Sequence, residues 1–262
     1  MPIVKIDGVE VIVKEETTLL QAARKAKIWI PTLCYSPAVS NLAACRLCMV
    51  EIESGKDNWQ LVTACNYPIR RDSVVRVNSE KAVRSRQGVM KLLLARSPES
   101  SELKQLAARM GVEKTPFPKV TESQRNCILC SLCISVCSEV IGCSAIGFAG
   151  RGVDKVVTTP FRLASEDCIA CGACAAVCPV GTIQVRIHAE VSEAEISPFK
   201  SRVKLLRCAE CGKTMVTEPV TKQMLNKVDF NWQEYRERVR LCPECKRKKT
   251  AIALGLIPIK SS

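Results

Sequence analysis

The chain has 262 residues, 17 of them cysteine, a single histidine and a formal net charge of +13. A length above the roughly 100–200 residues of one domain predicts two or three modules. We expect neither a signal peptide nor a membrane span, since no basic segment precedes an apolar core and no apolar run approaches roughly 18 residues. An odd number of cysteines without an export signal favours metal-binding thiolates in a cytoplasmic protein, and His188 alone excludes any site that needs two histidines.

The basic character belongs mainly to the C-terminal segment, where residues 200–262 hold 15 Lys and Arg against 6 Asp and Glu. Each tetrathiolate centre carries a charge of about −2 when its iron or zinc is bound. Four such centres would lower the net charge of the metal-loaded chain to about +5.

Residues 1–78 predict a β-grasp ferredoxin domain. Two apolar runs flank Asp7-Gly8, a pair that is typical of a two-residue hairpin turn. Thr18 and Gln21 form a capping box at the start of a short helix, and two further strands are predicted at 49–52 and 59–64. The order hairpin, helix and strands, with cysteines in the long loop, is that of a β-grasp fold.

Four cysteines in this domain predict a [2Fe-2S] cluster: Cys34, Cys45, Cys48 and Cys65. Four thiolates in such a loop can supply two ligands to each iron. Ten residues separate Cys34 from Cys45, whereas the plant-type spacing has four residues between its first two cysteines. A zinc site or separate buried thiols are the alternatives.

Residues 79–120 predict a helical linker. Ser79 can cap a first helix, the Ser97-Pro98 pair breaks it, and Gly111 ends a second helix.

Residues 121–190 predict a ferredoxin-like domain with two [4Fe-4S] clusters, because one spacing, C-x2-C-x2-C-x3-C, occurs twice. In such duplications the fourth cysteine of each run ligates the other cluster. The first cluster is therefore assigned to Cys127, Cys130, Cys133 and Cys178. The second is assigned to Cys137, Cys168, Cys171 and Cys174. A zinc cluster or unliganded thiols are the alternatives, and Cys143 is left over, either as a buried thiol or as a replacement for Cys137.

Residues 200–262 predict a zinc-ribbon-like segment built on two C-x2-C pairs. The candidate ligands are Cys208, Cys211, Cys242 and Cys245. Tetrahedral S4 coordination suits structural zinc. Mononuclear iron, as in rubredoxin, is the next alternative. The aromatic residues between the two cysteine pairs, Phe230, Trp232 and Tyr235, are few for a rubredoxin core. A further Fe–S cluster is the last alternative.

The basic run Lys246–Lys249 follows the last knuckle and has two interpretations. Zinc ribbons often bind nucleic acid, whereas a basic run is otherwise a solvated face or a contact with an acidic partner subunit. Because the same chain is predicted to hold three Fe–S clusters, we favour contact with an acidic partner subunit over nucleic-acid binding. We expect Ile252–Ile259 to be an apolar anchor into that partner.

The predicted fold class is α+β: a β-grasp domain, a helical linker, a two-cluster ferredoxin-like domain and a small metal ribbon. Residues 1–187 resemble the small iron–sulfur subunit of the diaphorase part of NAD-linked bidirectional hydrogenases. They are similar in the same way to the N-terminal region of the large iron–sulfur subunit of respiratory complex I and to accessory domains of [FeFe]-hydrogenases. The segments that carry the resemblance are Pro31-Thr-Leu-Cys34, Ala44-Cys-Arg-Leu-Cys48, Leu92-Leu-Leu-Ala95, Cys127-Ile-Leu-Cys130 and Gly150-Arg-Gly152.

The chain departs from these families directly after Leu92–Ala95, where they usually carry a cluster bound by one His and three Cys. Residues 96–126 contain neither histidine nor cysteine. We therefore expect that cluster to be absent. Its loss favours a soluble flavin complex, including a bifurcating one, over a complex I subunit.

The sequence predicts an electron-transfer subunit that is not catalytic alone, because no flavin or nicotinamide site, nucleophile or acid–base pair stands out. The resemblance implies an NAD(P)H-binding flavoprotein as one partner. It implies a hydrogenase, a formate dehydrogenase or a flavin enzyme as a second redox partner. The alternatives are a metal-dependent nucleic-acid-binding protein and a free-standing polyferredoxin.

Overall fold

The computed structural model describes residues 1–55, 58–121, 126–217, 219–220 and 240–254. The chain forms two compact units. The first contains Met1–Gly142, Ile146–Val157 and Ala173–Thr182, and the second contains the remainder. The predictions for Phe230, Trp232, Tyr235 and the end of the apolar anchor lie outside the described residues.

The first unit begins with a five-stranded mixed sheet. Its strands are β1 (Ile3–Ile6), β2 (Val9–Ile12), β3 (Met49–Glu53), β4 (Trp59–Thr63) and β5 (Ser73–Arg76). The spatial order is β2-β1-β5-β3-β4, with β1 and β5 parallel and the other pairs antiparallel. The predicted hairpin, helix and two strands are present, and β5 is a strand that the sequence analysis did not predict.

Helix α1 (Leu19–Lys25) covers one face of this sheet. Thr18 and Gln21 form the predicted capping box, each side chain bonding the backbone N–H of the other residue. Leu19 and Leu20 are both 1% exposed and pack in one core with Val4 and Val50 of the strands. Burial of each such leucine contributes about 1.5–3 kcal/mol, which fixes the helix against the sheet.

Two helices follow, α2 (Glu80–Arg96) and α3 (Ser101–Arg109), each starting at a serine cap, Ser79 and Ser100. Met90 of α2 and Leu103 of α3 are fully buried in a second core. This core also contains Cys34 and Cys130, so the helices pack directly against two of the cysteine-bearing loops.

The rest of the first unit consists of short elements. These are α4 (Leu132–Ser135), a π-helical turn (Val136–Ile141), a two-stranded sheet of β6 (Gly147–Ala149) and β7 (Val156–Thr158), and α5 (Ala173–Ala176). Gly150 lies in the connection between β6 and β7. A side chain is excluded at Gly150, because its φ is +75° and a Cβ atom would lie 2.5 Å from the Asp154 carbonyl oxygen.

The second unit contains a four-stranded antiparallel sheet. Its strands are β8 (Gln184–His188), β9 (Glu193–Ser197), β10 (Ser201–Arg207) and β11 (Thr214–Thr217), in the spatial order β11-β10-β9-β8. A helix, α6 (Pro243–Ala253), follows later in the chain. None of the helices within the described part of the chain is long and apolar enough to cross a membrane.

Candidate metal centres

The four cysteines of the N-terminal set are all buried in the loops around β3 and β4. Cys34 follows α1, Cys45 and Cys48 precede β3, and Cys65 follows β4. The connecting loop bends at Ala43 and Arg46, whose φ angles of +49° and +56° lie in the left-handed region. These bends bring distant cysteines next to each other, as the backbone N–H of Cys45 donates to Cys34 Sγ at 3.4 Å.

The N-terminal thiols form two neighbouring pairs. A hydrogen bond with Cys45 raises the pKa of the Cys34 thiol, and the same bond lowers the pKa of Cys45. A hydrogen bond with Cys65 likewise raises the pKa of Cys48 and lowers that of Cys65. Two adjacent pairs match the needs of a [2Fe-2S] centre, in which each iron takes two thiolates.

The four cysteines assigned to the first [4Fe-4S] cluster all belong to the first unit. Burial is the main cause that raises the pKa of the Cys127 and Cys130 thiols, that of Cys130 to about 12, and the charge of Cys178 adds to both shifts. Burial also raises the pKa of Cys133, with contributions from the other three. Three thiols whose ionisation is opposed by burial and by neighbouring cysteines fit a site where metal cations replace the protons.

The duplicated loops share a backbone conformation as well as a spacing. Leu129 and Ser131, at the second position after Cys127 and the first after Cys130, have φ angles of +54° and +67°. Ala170 and Gly172, at the equivalent positions of the second loop, have φ angles of +50° and +76°. Because non-glycine residues rarely adopt these angles, the shared pattern indicates that both loops wrap a ligand in the same way. Sequence reasoning missed these residues, and only Gly172 carried a signal that could have indicated one.

The cysteines assigned to the second [4Fe-4S] cluster are divided between the two units. Cys137 lies in the π-helical turn and Cys174 in α5, whereas Cys168 and Cys171 lie in a loop of the second unit. Their assignment to one cluster stays a prediction. Cys143, the residue left over from the sequence analysis, is half-buried in the second unit.

The C-terminal sheet supports the loop of Cys168 and Cys171 at separate points. The Ser165 N–H donates to Ser201 Oγ at 3.3 Å, and Thr217 Oγ1 donates to the Ile169 carbonyl at 2.6 Å. A Cβ atom on Gly172 would lie 3.1 Å from Val185 Cγ2 of β8. The sheet therefore holds the second cysteine loop in place, an arrangement that the sequence analysis did not predict.

The four C-terminal cysteines converge on one point. The sulfur atoms of Cys208, Cys211, Cys242 and Cys245 all lie within 4.8 Å of one another. The sulfurs of Cys211 and Cys242 are 3.7 Å apart, and a Zn–S bond of about 2.3 Å gives a tetrahedron with edges of about 3.8 Å. In a cubane each thiolate binds a different iron and the sulfurs lie farther apart, so this set fits a single ion.

Backbone amides stabilise negative charge on this last set. The N–H groups of Cys242 and Cys245 donate to the sulfurs of Cys208 and Cys242 at 3.3 and 3.4 Å. Hydrogen bonds from the backbone of Cys211 and Cys242 lower the pKa of Cys208 to about 6. A thiolate that forms readily at neutral pH is what a cation needs as a ligand.

The basic run lies on the surface of α6. Arg247, Lys248 and Lys249 are exposed, and Lys249 Nζ lies 3.9 Å from Glu210 Oε2. His188 is half-buried, with Nε2 at 3.2 Å from Glu195 Oε2.

Family comparisons define the class of protein. A family model described as a 2Fe-2S iron-sulfur cluster binding domain matches residues 3–80, and one described as a 4Fe-4S dicluster domain matches residues 126–182. The predicted α+β fold with a [2Fe-2S] domain and a ferredoxin-like dicluster domain is therefore confirmed.

Individual relatives confirm the resemblance seen in the sequence. The chain is 36% identical over 176 residues to the NADPH-Fe(3+) oxidoreductase subunit alpha of Geobacter sulfurreducens, covering 59% of this chain and 20% of that protein. It is 34% identical over 227 residues to the NADP-reducing hydrogenase subunit HndD of Solidesulfovibrio fructosivorans, covering 75% of this chain and 38% of that protein. It is 28% identical over 208 residues to the NADH-ubiquinone oxidoreductase 78 kDa subunit of Neurospora crassa, covering 70% of this chain and 27% of that protein.

Among solved structures, a chain of the NAD+-reducing [NiFe]-hydrogenase in the H2-reduced state superposes with a TM-score of 0.53 and 27% identity. The match covers 60% of this chain and 74% of that one. The chain thus spans 20–38% of the length of the curated relatives above, and most of one hydrogenase chain.

Proposed function

We propose that this chain is an electron-transfer iron–sulfur subunit of a multi-subunit NAD(P)H-linked flavin oxidoreductase, and that it relays single electrons between the redox sites of its partners. The observation that carries the proposal is one buried core that contains Cys34, Cys45 and Cys130. The partly buried Cys178 packs against it, so ligands of two predicted centres meet in this core.

The two cysteine sets are close enough to affect each other electrostatically. Burial is the largest cause of the raised pKa of Cys130, but the charge of Cys45 adds to it. Cys45 belongs to the predicted [2Fe-2S] set and Cys130 to the first [4Fe-4S] set, with 84 residues between them. Adjacent centres in one protein body are what a relay requires.

Iron–sulfur clusters, when bound, accept and release single electrons at potentials set by charge, hydrogen bonds and burial. The residues of this chain supply those conditions. Cys34, Cys45 and Cys130 are at most 8% exposed, and Leu47, which is fully buried in the same core, excludes water from them. The domain matches support both cluster types, and we propose the counts of one [2Fe-2S] and two [4Fe-4S] centres with the ligands assigned above.

The relatives support the choice of partners. Two of them are named as subunits of enzymes that use NADPH or reduce NADP. We infer an NAD(P)H-binding flavoprotein on one side of the relay. A hydrogenase, a formate dehydrogenase or another flavin enzyme would lie on the other. A reducing cytoplasm suits a chain of thiolate-held clusters.

We further propose that Cys208, Cys211, Cys242 and Cys245 hold a structural zinc ion, with mononuclear iron as the alternative. The sulfur positions fit either ion, and thiolate ligands are satisfied by both. The exposed cations of α6 would then contact an acidic surface of a partner subunit.

The decisive experiment is anaerobic purification of the full chain, followed by EPR spectroscopy and assays of metal, sulfide and flavin. We expect reduced [2Fe-2S] and [4Fe-4S] signals, one zinc per chain, and no reduction by NADH or NADPH until a flavoprotein subunit is added. Rapid reduction of the flavin-free chain by NAD(P)H would contradict the proposal, as would a colourless sample without acid-labile sulfide.

A second experiment separates the alternative functions. The metal-loaded chain is titrated with duplex DNA and with single-stranded RNA at low and physiological salt. No saturable binding is expected, and salt-dependent binding that is lost when Lys246–Lys249 are changed to glutamine would favour the nucleic-acid-binding alternative. Native extracts distinguish the polyferredoxin alternative, because a free shuttle would elute as a monomer.

A further inference from the structure

The last residue of α2, Arg96, reaches into the loop of the first predicted [4Fe-4S] cluster. Its Nε donates to the carbonyl oxygen of Cys127 at 3.0 Å, and its Nη2 donates to the carbonyl oxygen of Lys155 at 3.4 Å. Cys127 is the first ligand of the assigned set, so the guanidinium joins helix, ligand loop and β6–β7 hairpin at one point.

The same segment holds the residue before the ligand. Ser97 is fully buried, and its hydroxyl donates to the Asn126 carbonyl at 3.4 Å. Thr182, four residues after Cys178, donates to the same carbonyl. This is the segment in which the sequence has no histidine or cysteine, and the structure shows that it supports the neighbouring ligand loop.

The charge of Arg96 remains near the cysteine. Guanidinium groups are always protonated in proteins, and the carbonyl groups that Arg96 contacts are dipoles that do not cancel a unit charge. Because Arg96 Nε lies 3.0 Å from the Cys127 carbonyl oxygen, this positive charge lies beside the first ligand of the assigned set. The arginine therefore favours additional negative charge at Cys127.

We propose that Arg96 is a positioning residue that raises the reduction potential of the first [4Fe-4S] cluster. It would do so by placing a fixed positive charge beside the Cys127 ligand while its hydrogen bonds hold the loop. Reduction adds one electron, and so one negative charge, to a cluster with four thiolate ligands. A fixed cation in a half-buried site stabilises the reduced form more than the oxidised form. This inference rests on the proposed cluster ligands.

The test is an EPR-monitored redox titration of the full metal-loaded chain in three variants. Arg96→Gln removes the charge, Arg96→Lys keeps it without the planar fork, and Arg84→Gln changes an exposed arginine of the same helix. We expect Arg96→Gln to lower the equilibrium constant for reduction of one [4Fe-4S] centre about tenfold, which is about 59 mV for a one-electron couple. The midpoint potential of the [2Fe-2S] centre should not change. The Arg84→Gln variant should keep the wild-type potentials, and Arg96→Lys should keep them to within a small fraction of this shift.

Each outcome decides the inference. An unchanged midpoint potential in Arg96→Gln with full iron content overturns it, and so do equal shifts in Arg96→Gln and Arg96→Lys, which would show a purely structural role. If Arg96→Gln does not retain the cluster, the Arg96→Lys variant decides: a wild-type potential supports the role of charge, and a lowered one contradicts it. Absence of [4Fe-4S] signals in the wild-type chain would instead contradict the proposed function.

Discussion

The duplicated cysteine loops contain residues in the left-handed region of backbone conformation. Three of the four positions identified in the duplicated loops, Leu129, Ser131 and Ala170, are not glycine. A non-glycine residue with positive φ costs about 1–2 kcal/mol. The loops therefore store strain that a bound cluster would offset, and the fourth position, Gly172, is where additional strain is easiest to introduce.

Changing Gly172→Ala tests that relation. The new Cβ would combine a φ of +76° with a contact of 3.1 Å to Val185 Cγ2, so we expect a loss of stability of about 1–2 kcal/mol and a lower occupancy of one [4Fe-4S] centre. The measurements are thermal unfolding and EPR spin quantification of the anaerobic chain. Gly147→Ala is the control, because Gly147 lacks a positive φ and a Cβ there would have nothing within 4 Å. Equal effects of both substitutions would contradict the prediction.

At the scale of elements, α2 joins the β-grasp sheet to the first cluster loop. Near its middle, Arg86 is 5% exposed and its Nη2 donates to the Val77 carbonyl at 2.7 Å. One turn later Met90 enters the core beneath the cysteine loops, and Arg96 contacts the Cys127 carbonyl at its end. A single helix therefore transmits the position of the sheet to a ligand loop.

Arg86→Ala should weaken this connection. It leaves the Val77 carbonyl without its donor, which costs about 1–3 kcal/mol in the free energy of unfolding. Arg84→Ala is the matched control, because Arg84 is on the same helix with 78% of its side chain exposed and forms a surface ion pair with Glu80 at 3.5 Å. We expect the control to change stability by less than about 0.5 kcal/mol. Thermal unfolding compares the two, and similar melting temperatures would contradict the anchoring role.

The π-helical turn carries a second connection between cysteine loops. Glu139 Oε2 accepts hydrogen bonds from the Ser40 backbone N–H at 2.8 Å and from its hydroxyl at 2.9 Å. Those bonds lower the pKa of Glu139 below its usual 4.5. Ser40 lies between Cys34 and Cys45, and Glu139 lies two residues after Cys137, so the contact links loops of two predicted centres.

The lowered pKa of Glu139 predicts a pH dependence. The contribution of this carboxylate to stability is fully present above its unfolded pKa and is lost as the pH falls through the lower, folded value. At pH 7 we expect Glu139→Ala to speed amide exchange in the segment around Ser40, measured by mass spectrometry, because the acceptor is gone. Glu99→Ala, which changes another exposed carboxyl, should leave that exchange unchanged. Wild-type protection that begins to fall well above pH 4.5 would indicate a different titrating group.

At the scale of the whole molecule, the C-terminal metal site and the Fe–S sites can be separated experimentally. Cys242 is the N-cap of α6, and its sulfur accepts from the Cys245 N–H. Cys242→Ser should therefore release the zinc and increase amide exchange in α6, because the ligand and the cap are changed together. Elemental analysis and hydrogen exchange measure both effects. The [2Fe-2S] signal should persist, and Cys143→Ser, the control, should retain zinc; a Cys242→Ser chain with full zinc content would contradict the assignment.

The sequence alone was sufficient for features that depend on residues close together in the chain. The hairpin at Asp7-Gly8, the capping box at Thr18 and the serine cap of α2 follow from local hydrogen bonding and turn geometry. The four cysteine sets follow from spacing, because thiolates two residues apart can reach one metal centre. The C-terminal sulfurs converge in space, whereas the ligand assignments of all four sets remain predictions.

Only the tertiary structure decided which of these local features are neighbours. Strand β5 is four residues long, and it is recognisable by its pairing with β1, about 70 residues earlier, and with β3 on its other side. The shared core of Cys45 and Cys130, and the contact of Arg96 with the Cys127 carbonyl, are likewise contacts between distant segments. The physical reason is that burial and charge act through space: local sequence determines the shape of each loop, but packing determines which charges and sulfur atoms a loop meets.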